Sequence, residues 1–141
     1  MKNTLYSLLA LTLLGGCAAG GADKRIDCGE VAVFQQPEGR NNLYKVAVTR
    51  IDDKDVVSKA SYRLLPGSYR LRLTEFIDDP RLAVPNAKRS YREMTLEVVA
   101  GQRYHLVAEL APEHREEAER YWQPKVWKQV QSDCSMPANP R

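Results

Sequence analysis

The three cysteines carry the most versatile chemistry in this sequence. Cys17 follows an apolar run, whereas Cys28 and Cys134 stand near the two ends of the remaining chain. A cysteine sulfur can form a thioether, a disulfide or a metal–thiolate bond. Metal binding is the least favoured, because no Cys-x-x-Cys is present and neither His105 nor His114 has ligand-like spacing with a cysteine. We therefore expect neither a metal site nor a cofactor.

The polar residues give weak support for catalysis. Ser68 follows a glycine but lacks the Gly-x-Ser-x-Gly elbow, and neither histidine lies in a recognisable triad motif. His105 is predicted to lie at the surface, on the polar side of its strand. The acidic turn at 52–55 lacks the glycine and the distal glutamate of a calcium loop, which favours a solvated turn. The sequence thus predicts a non-enzymatic protein.

Arginines provide the remaining candidate site. Arg70 and Arg72 alternate with apolar residues, and Arg103 lies in a later strand of similar pattern. On a shared outward face, their guanidinium groups could bind phosphate or carboxylate groups of an anionic ligand. The alternative is that they only solubilise the sheet. Further basic residues that could extend this face are Lys88, Arg89 and Arg92.

The start of the chain predicts export. Lys2 precedes the apolar run Leu5–Leu14, whose ten or so residues fall short of the ~20 that a membrane-spanning helix needs. This pattern is typical of a cleaved signal peptide. The sequence Leu14-Gly15-Gly16-Cys17 resembles the lipobox of bacterial lipoproteins.

The resemblance to lipoproteins implies that residues 1–16 are removed and that Cys17 carries lipid. Ala18 then implies sorting to the outer membrane, on its periplasmic side, because in such lipoproteins an aspartate at this position marks retention in the inner membrane. The expected partners are the membrane itself and an envelope protein complex or anionic glycolipid. The alternative is an ordinary secretory signal, which leaves Cys17 as an odd thiol.

If Cys17 carries lipid, Cys28 and Cys134 are an even pair in an oxidising compartment, and we expect them to be bonded. The alternative is two buried free thiols. Sixteen residues removed from 141 leave 125, enough for one domain. The predicted segments are a lipidated terminus and tether at 17–27, a domain at 28–135 and a flexible tail at 136–141.

The net charge gives no indication of nucleic-acid binding. Residues 1–16 contain one of the 21 basic residues and none of the 18 acidic ones, so the mature chain has 20 against 18, a net charge of +2. Such a small excess does not provide the basic surface that binding to a phosphate backbone requires. We therefore expect no nucleic-acid partner.

Alternation of apolar and polar residues predicts an all-β domain. Strands are expected at Leu43–Ile51, with a return at Val56-Val57, and at four further segments. Turns at Pro66-Gly67 and Ala100-Gly101 predict that the flanking strands form hairpins. One short helix is predicted at 112–120, where a proline begins the segment and opposite charges are spaced four residues apart. The further strand segments are Tyr62–Leu65, Tyr69–Leu73 and the pair Met94–Val98 and Tyr104–Leu110.

Two of these turns also carry a resemblance. Leu65-Pro66-Gly67-Ser68-Tyr69 and Ala100-Gly101-Gln102-Arg103-Tyr104 resemble the strand and turn motifs of PEGA-like and prealbumin-like envelope domains. The resemblance implies a single antiparallel β-sandwich of about seven strands, of immunoglobulin or prealbumin type, and carries no catalytic residues. We therefore expect a non-catalytic accessory or binding module of the envelope. The alternatives are a binder of anionic glycolipid or glycan and, third, an envelope enzyme.

Overall fold

The computed structural model describes residues 24–35, 37 and 41–138. The predicted signal at 1–16, Cys17 and the last three residues lie outside this part of the chain. Short 3-10 helices occupy Asn86–Lys88 and Pro112–His114. Within these described residues the ten strands are β1 (Arg25–Asp27), β2 (Gly29–Ala32), β3 (Leu43–Ile51), β4 (Lys54–Asp55), β5 (Ser61–Leu64), β6 (Gly67–Phe76), β7 (Arg92–Val98), β8 (Gln102–Leu110), β9 (Trp122–Gln131) and β10 (Ser135–Pro137).

Eight strands form one sheet and the other two form a ribbon. The sheet order is β5-β2-β8-β3-β6-β7, with β4 beside β3 and β9 beside β8, while β1 pairs only with β10. Its two halves, β5-β2-β8-β9 and β4-β3-β6-β7, meet where Leu43 and Tyr44 of β3 pair with β8. The all-β prediction is confirmed. The strand count is higher than about seven, and β2 runs parallel to β8, so the sheet is not wholly antiparallel.

Both halves contribute to one hydrophobic core. In β6 the inward residues Leu71 and Leu73 are fully buried while Arg70 is exposed, which confirms the predicted alternation. From the other half, Leu106 and Leu110 join the same cluster. Burying a leucine side chain stabilises a fold by ~1.5–3 kcal/mol, so this shared cluster is what holds the halves together.

The hairpins predicted at Pro66-Gly67 and Ala100-Gly101 are wrong. In the described chain β5 pairs with β2 rather than with β6, and β7 pairs with β6 rather than with β8. The turns at Pro66-Gly67 and Ala100-Gly101 instead lead from one half of the sheet to the other. The reason is that the strands across the two turns already have neighbours on both edges, since β6 pairs with β3 and β7, and β8 pairs with β9 on one edge and with β2 and β3 on the other. Turn residues specify where a chain reverses, but they do not specify the neighbour of the next strand.

The helix predicted at 112–120 is also wrong. Only Pro112–His114 is helical, as a single 3-10 turn, and turns follow it. Leu110 pairs with Trp122, and Ala111 donates to the Tyr121 carbonyl at 2.8 Å, so the two ends of the segment must lie side by side. A nine-residue helix would separate its ends by ~13 Å, more than twice the ~5 Å between paired strands.

The ends of the described chain are joined. Cys28 and Cys134 form a disulfide with their Cα atoms 5.1 Å apart, which confirms the predicted pair. Beyond it, β1 and β10 form the ribbon, which Ala138 extends by donating to the Lys24 carbonyl at 2.9 Å. The predicted tether at 17–27 and tail at 136–141 therefore include residues that belong to this ribbon.

Candidate functional site

The predicted arginine face is divided and its charges are paired. Arg70 lies 2.7 Å from Asp53, and Arg72 lies 3.1 Å from Glu93. Both arginines are on β6, whereas Arg103 is on β8 in the other half of the sheet. There it lies 3.0 Å from the Glu30 carboxylate. The structure thus brings Arg70 and Arg72 together but not Arg103.

Two of the basic residues expected to extend this face have structural contacts instead. Arg89 donates to the Ile77 carbonyl at 3.2 Å, and its guanidinium group lies 3.9 Å from the Glu75 carboxylate. Arg92 donates to the Ala118 carbonyl at 2.9 Å. Both side chains therefore hold loops against the sheet, which leaves Arg70 and Arg72 as the arginine face.

A cleft of about 770 Å³ lies at the end of the sheet where β8 ends and β9 begins. The loop between these strands forms one wall, on which His114 Nδ1 lies 2.8 Å from Glu117. Arg120 lies 3.1 Å from the same carboxylate, and the hydrogen bond from His114 is the main cause that lowers the pKa of Glu117. The buried Trp122 contributes to the floor.

Another part of the lining, at Glu109 and Gln123, is also polar. Glu109 accepts hydrogen bonds from Lys125 at 2.6 Å and from Gln123 at 2.9 Å. These two bonds lower the pKa of Glu109 and keep it ionised. Side chains of both charge signs therefore face the cleft. Such a lining is better suited to contact with a polar surface than to a ligand of one charge.

The buried carboxylate of Glu75 was not predicted from the sequence. Glu75 is 7% exposed and accepts hydrogen bonds from the Tyr121 hydroxyl at 2.8 Å and the Ile77 amide at 2.5 Å. Burial is the main cause that raises the pKa of Tyr121, and Glu75 adds to it. The alternation that buries Leu71 and Leu73 places Glu75 on the same face of β6, so the sequence pattern contained a signal for its burial. The contact joins the end of β6 to the start of β9.

The prediction that His105 lies at the surface is wrong. Its side chain is 2% exposed, and the Phe34 ring meets it edge to face at 5.3 Å between centroids. Burial lowers the pKa of His105, and the nearby charges of Arg103 and Lys128 lower it further. Its Nδ1 atom has no hydrogen-bond partner among the described residues, and the same holds for Nε1 of Trp127.

The described residues contain neither a metal-binding cluster nor a membrane-spanning helix. Within 24–35, 37 and 41–138, no three His, Cys, Asp or Glu side chains are grouped so that they could hold a metal ion. None of the helices in this part of the chain has the length and apolar character that crossing a membrane would require. Comparison with family models, curated proteins and solved structures finds no match to this chain.

Proposed function

We propose that this protein is a lipid-anchored lipoprotein of the bacterial outer membrane that faces the periplasm and acts there as a non-catalytic binding module. The disulfide supports the proposal, because it uses Cys28 and Cys134 and leaves Cys17 as the remaining cysteine of the chain. Cys17 ends the lipobox-like sequence, and disulfides persist in the oxidising compartments to which lipoproteins are exported.

We infer the binding role from the arrangement of the two ends of the domain. The ribbon leaves the domain where β7 ends and β8 begins, whereas the cleft lies where β7 begins and β8 ends. Lys24 follows Cys17 by seven residues, a span of at most ~25 Å. The anchor would therefore hold one end of the domain near the membrane and turn the cleft toward the periplasm.

We infer that the partner is a protein subunit of an envelope complex. The cleft presents polar walls and both charge signs, a composition that suits a protein surface. The ion pairs of Arg70 and Arg72 weigh against the alternative, an anionic glycolipid, because each guanidinium group already has a carboxylate partner. A glycolipid would have to compete with Asp53 and Glu93 for these guanidinium groups.

Replacement of the anchoring cysteine tests the lipoprotein proposal. Cys17→Ser should move the protein from the membrane fraction to the soluble periplasmic fraction, because two or more acyl chains are needed for stable anchoring. Ala19→Ser adds the same hydroxyl two residues away and should leave the protein in the membrane. Retention of the Cys17→Ser protein in the membrane would refute the anchor.

Site-specific cross-linking in intact cells tests the binding role. A photoreactive residue in place of Arg120, which is exposed beside the cleft, should give one dominant protein adduct. The control position is Lys54 in the exposed strand β4, away from the cleft. The same adducts from both positions would show that the cleft has no specific partner.

A further inference from the structure

Three exposed apolar side chains lie at the ribbon end of the domain. Ile26 in the ribbon is 38% exposed, Leu65 is 39% exposed and Val99 is 56% exposed. Leu65 lies just before β6 and Val99 just after β7, and these strand ends pair through Gly67 and Val98. The two turn tips are therefore neighbours.

The same tips flank the disulfide from which the ribbon extends. Gly29, which follows Cys28, pairs with Leu64, and its Cβ position would lie 2.8 Å from the Val99 carbonyl oxygen. On the other side, Gly101 donates to the Cys28 carbonyl at 2.9 Å. One end of the domain thus combines the apolar tips with the base of the chain that leads to Cys17.

The nearby charges do not favour a charged partner. Three basic and three acidic residues are exposed at this end, so neither sign dominates: Lys24, Arg25 and Arg63, and Asp27, Glu97 and Asp133. Single exposed apolar residues are ordinary on protein surfaces. These three differ from other exposed apolar residues because they lie close to the proposed anchor. The short tether from Cys17 would hold them at a millimolar effective concentration at the membrane.

We propose, resting on the lipoprotein function above, that Ile26, Leu65 and Val99 insert into the surface of the phospholipid bilayer that carries the anchor. The domain then does not swing freely on its tether but stands with the ribbon end against the lipid. This contact fixes the direction in which the cleft at the other end points. The contact is too small to hold the unlipidated protein on a membrane, so it depends on the lipid at Cys17.

Fluorescence quenching by lipid tests this contact in the full-length lipidated protein. Val99→Trp, and separately Leu65→Trp, are reconstituted in vesicles of phosphatidylethanolamine and phosphatidylglycerol with or without brominated acyl chains. An indole ~5–10 Å into the headgroup and acyl boundary should lose about half of its emission to the bromines. The emission of Trp122 and Trp127 is subtracted by measuring the parent protein.

Phe76→Trp is the matched control. Phe76 is 57% exposed, as Val99 is, but it lies nine residues beyond Gly67 at the far end of β6, ~30 Å away. Its tryptophan should show no quenching beyond that of the parent. The bilayer contact alone would be overturned if the protein co-floats with vesicles while both tip variants remain unquenched. Equal quenching of a tryptophan at position 76 would also overturn it. Failure of the lipidated protein to co-float would overturn the lipoprotein function and the contact together.

Discussion

Removal of the disulfide should cost this domain a large part of its stability. Cys28 and Cys134 are separated by 106 positions, and both side chains are buried. In the chain-entropy model, opening a loop of about this length increases the entropy of the unfolded chain enough to destabilise the fold by ~4.7 kcal/mol. A domain is typically stable by only ~5–15 kcal/mol, so the variant should be marginal.

The double variant Cys28→Ala with Cys134→Ala is the appropriate perturbation. It leaves no odd thiol, and alanine adds no polar atom at these buried positions. For a domain of this size each kcal/mol shifts the melting temperature by ~3–6 °C, so the expected fall is on the order of 15–25 °C.

Thermal and guanidinium unfolding followed by circular dichroism measure the loss. The unmodified protein after reduction is the control, since it lacks the bond but keeps every side chain. A reduced protein that melts within ~3 °C of the oxidised one would refute this stabilising role of the disulfide. A loss confined to the double variant would instead indicate local packing at the sulfur atoms.

Three further substitutions test individual contacts. Gly29→Ala should destabilise the fold by ~1–3 kcal/mol in denaturant unfolding, because the added methyl group would press on the Val99 carbonyl; an unchanged midpoint would contradict that close approach. Tyr121→Phe should cost ~1–3 kcal/mol by removing a donor from the buried Glu75, and a neutral result would mean that Glu75 is already satisfied. Burial lowers the pKa of His105, so the unfolded chain binds a proton more readily below its ordinary value of ~6.5. The free energy of unfolding should therefore decrease as the pH falls below ~6.5, by at most ~1.4 kcal/mol per pH unit. His105→Gln should remove this decrease in unfolding curves measured between pH 7 and 5. An identical pH dependence in both proteins would contradict a neutral buried imidazole.

Local patterns predicted the strands well. The bounds of Leu43–Ile51 agree with those predicted, and the alternation along β6 identifies its buried face. The cysteine count led to the observed disulfide. Strand neighbours were not predictable in the same way, because distant parts of the chain occupy the edges of β6 and β8: β3 pairs with β6, and β2 pairs with β8.

In the candidate site, too, local sequence patterns were predictive, whereas contacts between residues far apart in the chain were not. Alternation placed Arg70 and Arg72 on one outer face, but their partners Asp53 and Glu93 depend on how three strands are aligned. His105 was misplaced because Tyr104–Ala108 is buried on both faces, and a strand covered on both sides does not alternate between buried and exposed positions.

The parallel pairing of β2 with β8 has a consequence for the order in which the protein folds. Glu30 and its partner Arg103 are 73 positions apart, and the ribbon joins Arg25 to Ser135 across 110 positions. Chains with such distant pairings fold in milliseconds to seconds, because long loops must close before the contacts form. Synthesis begins at the N-terminus, so the first strands made must wait for the last. Until β8 is in place, the edge of β2 that pairs with it stays open, and such unpaired strand edges make a folding chain prone to aggregation.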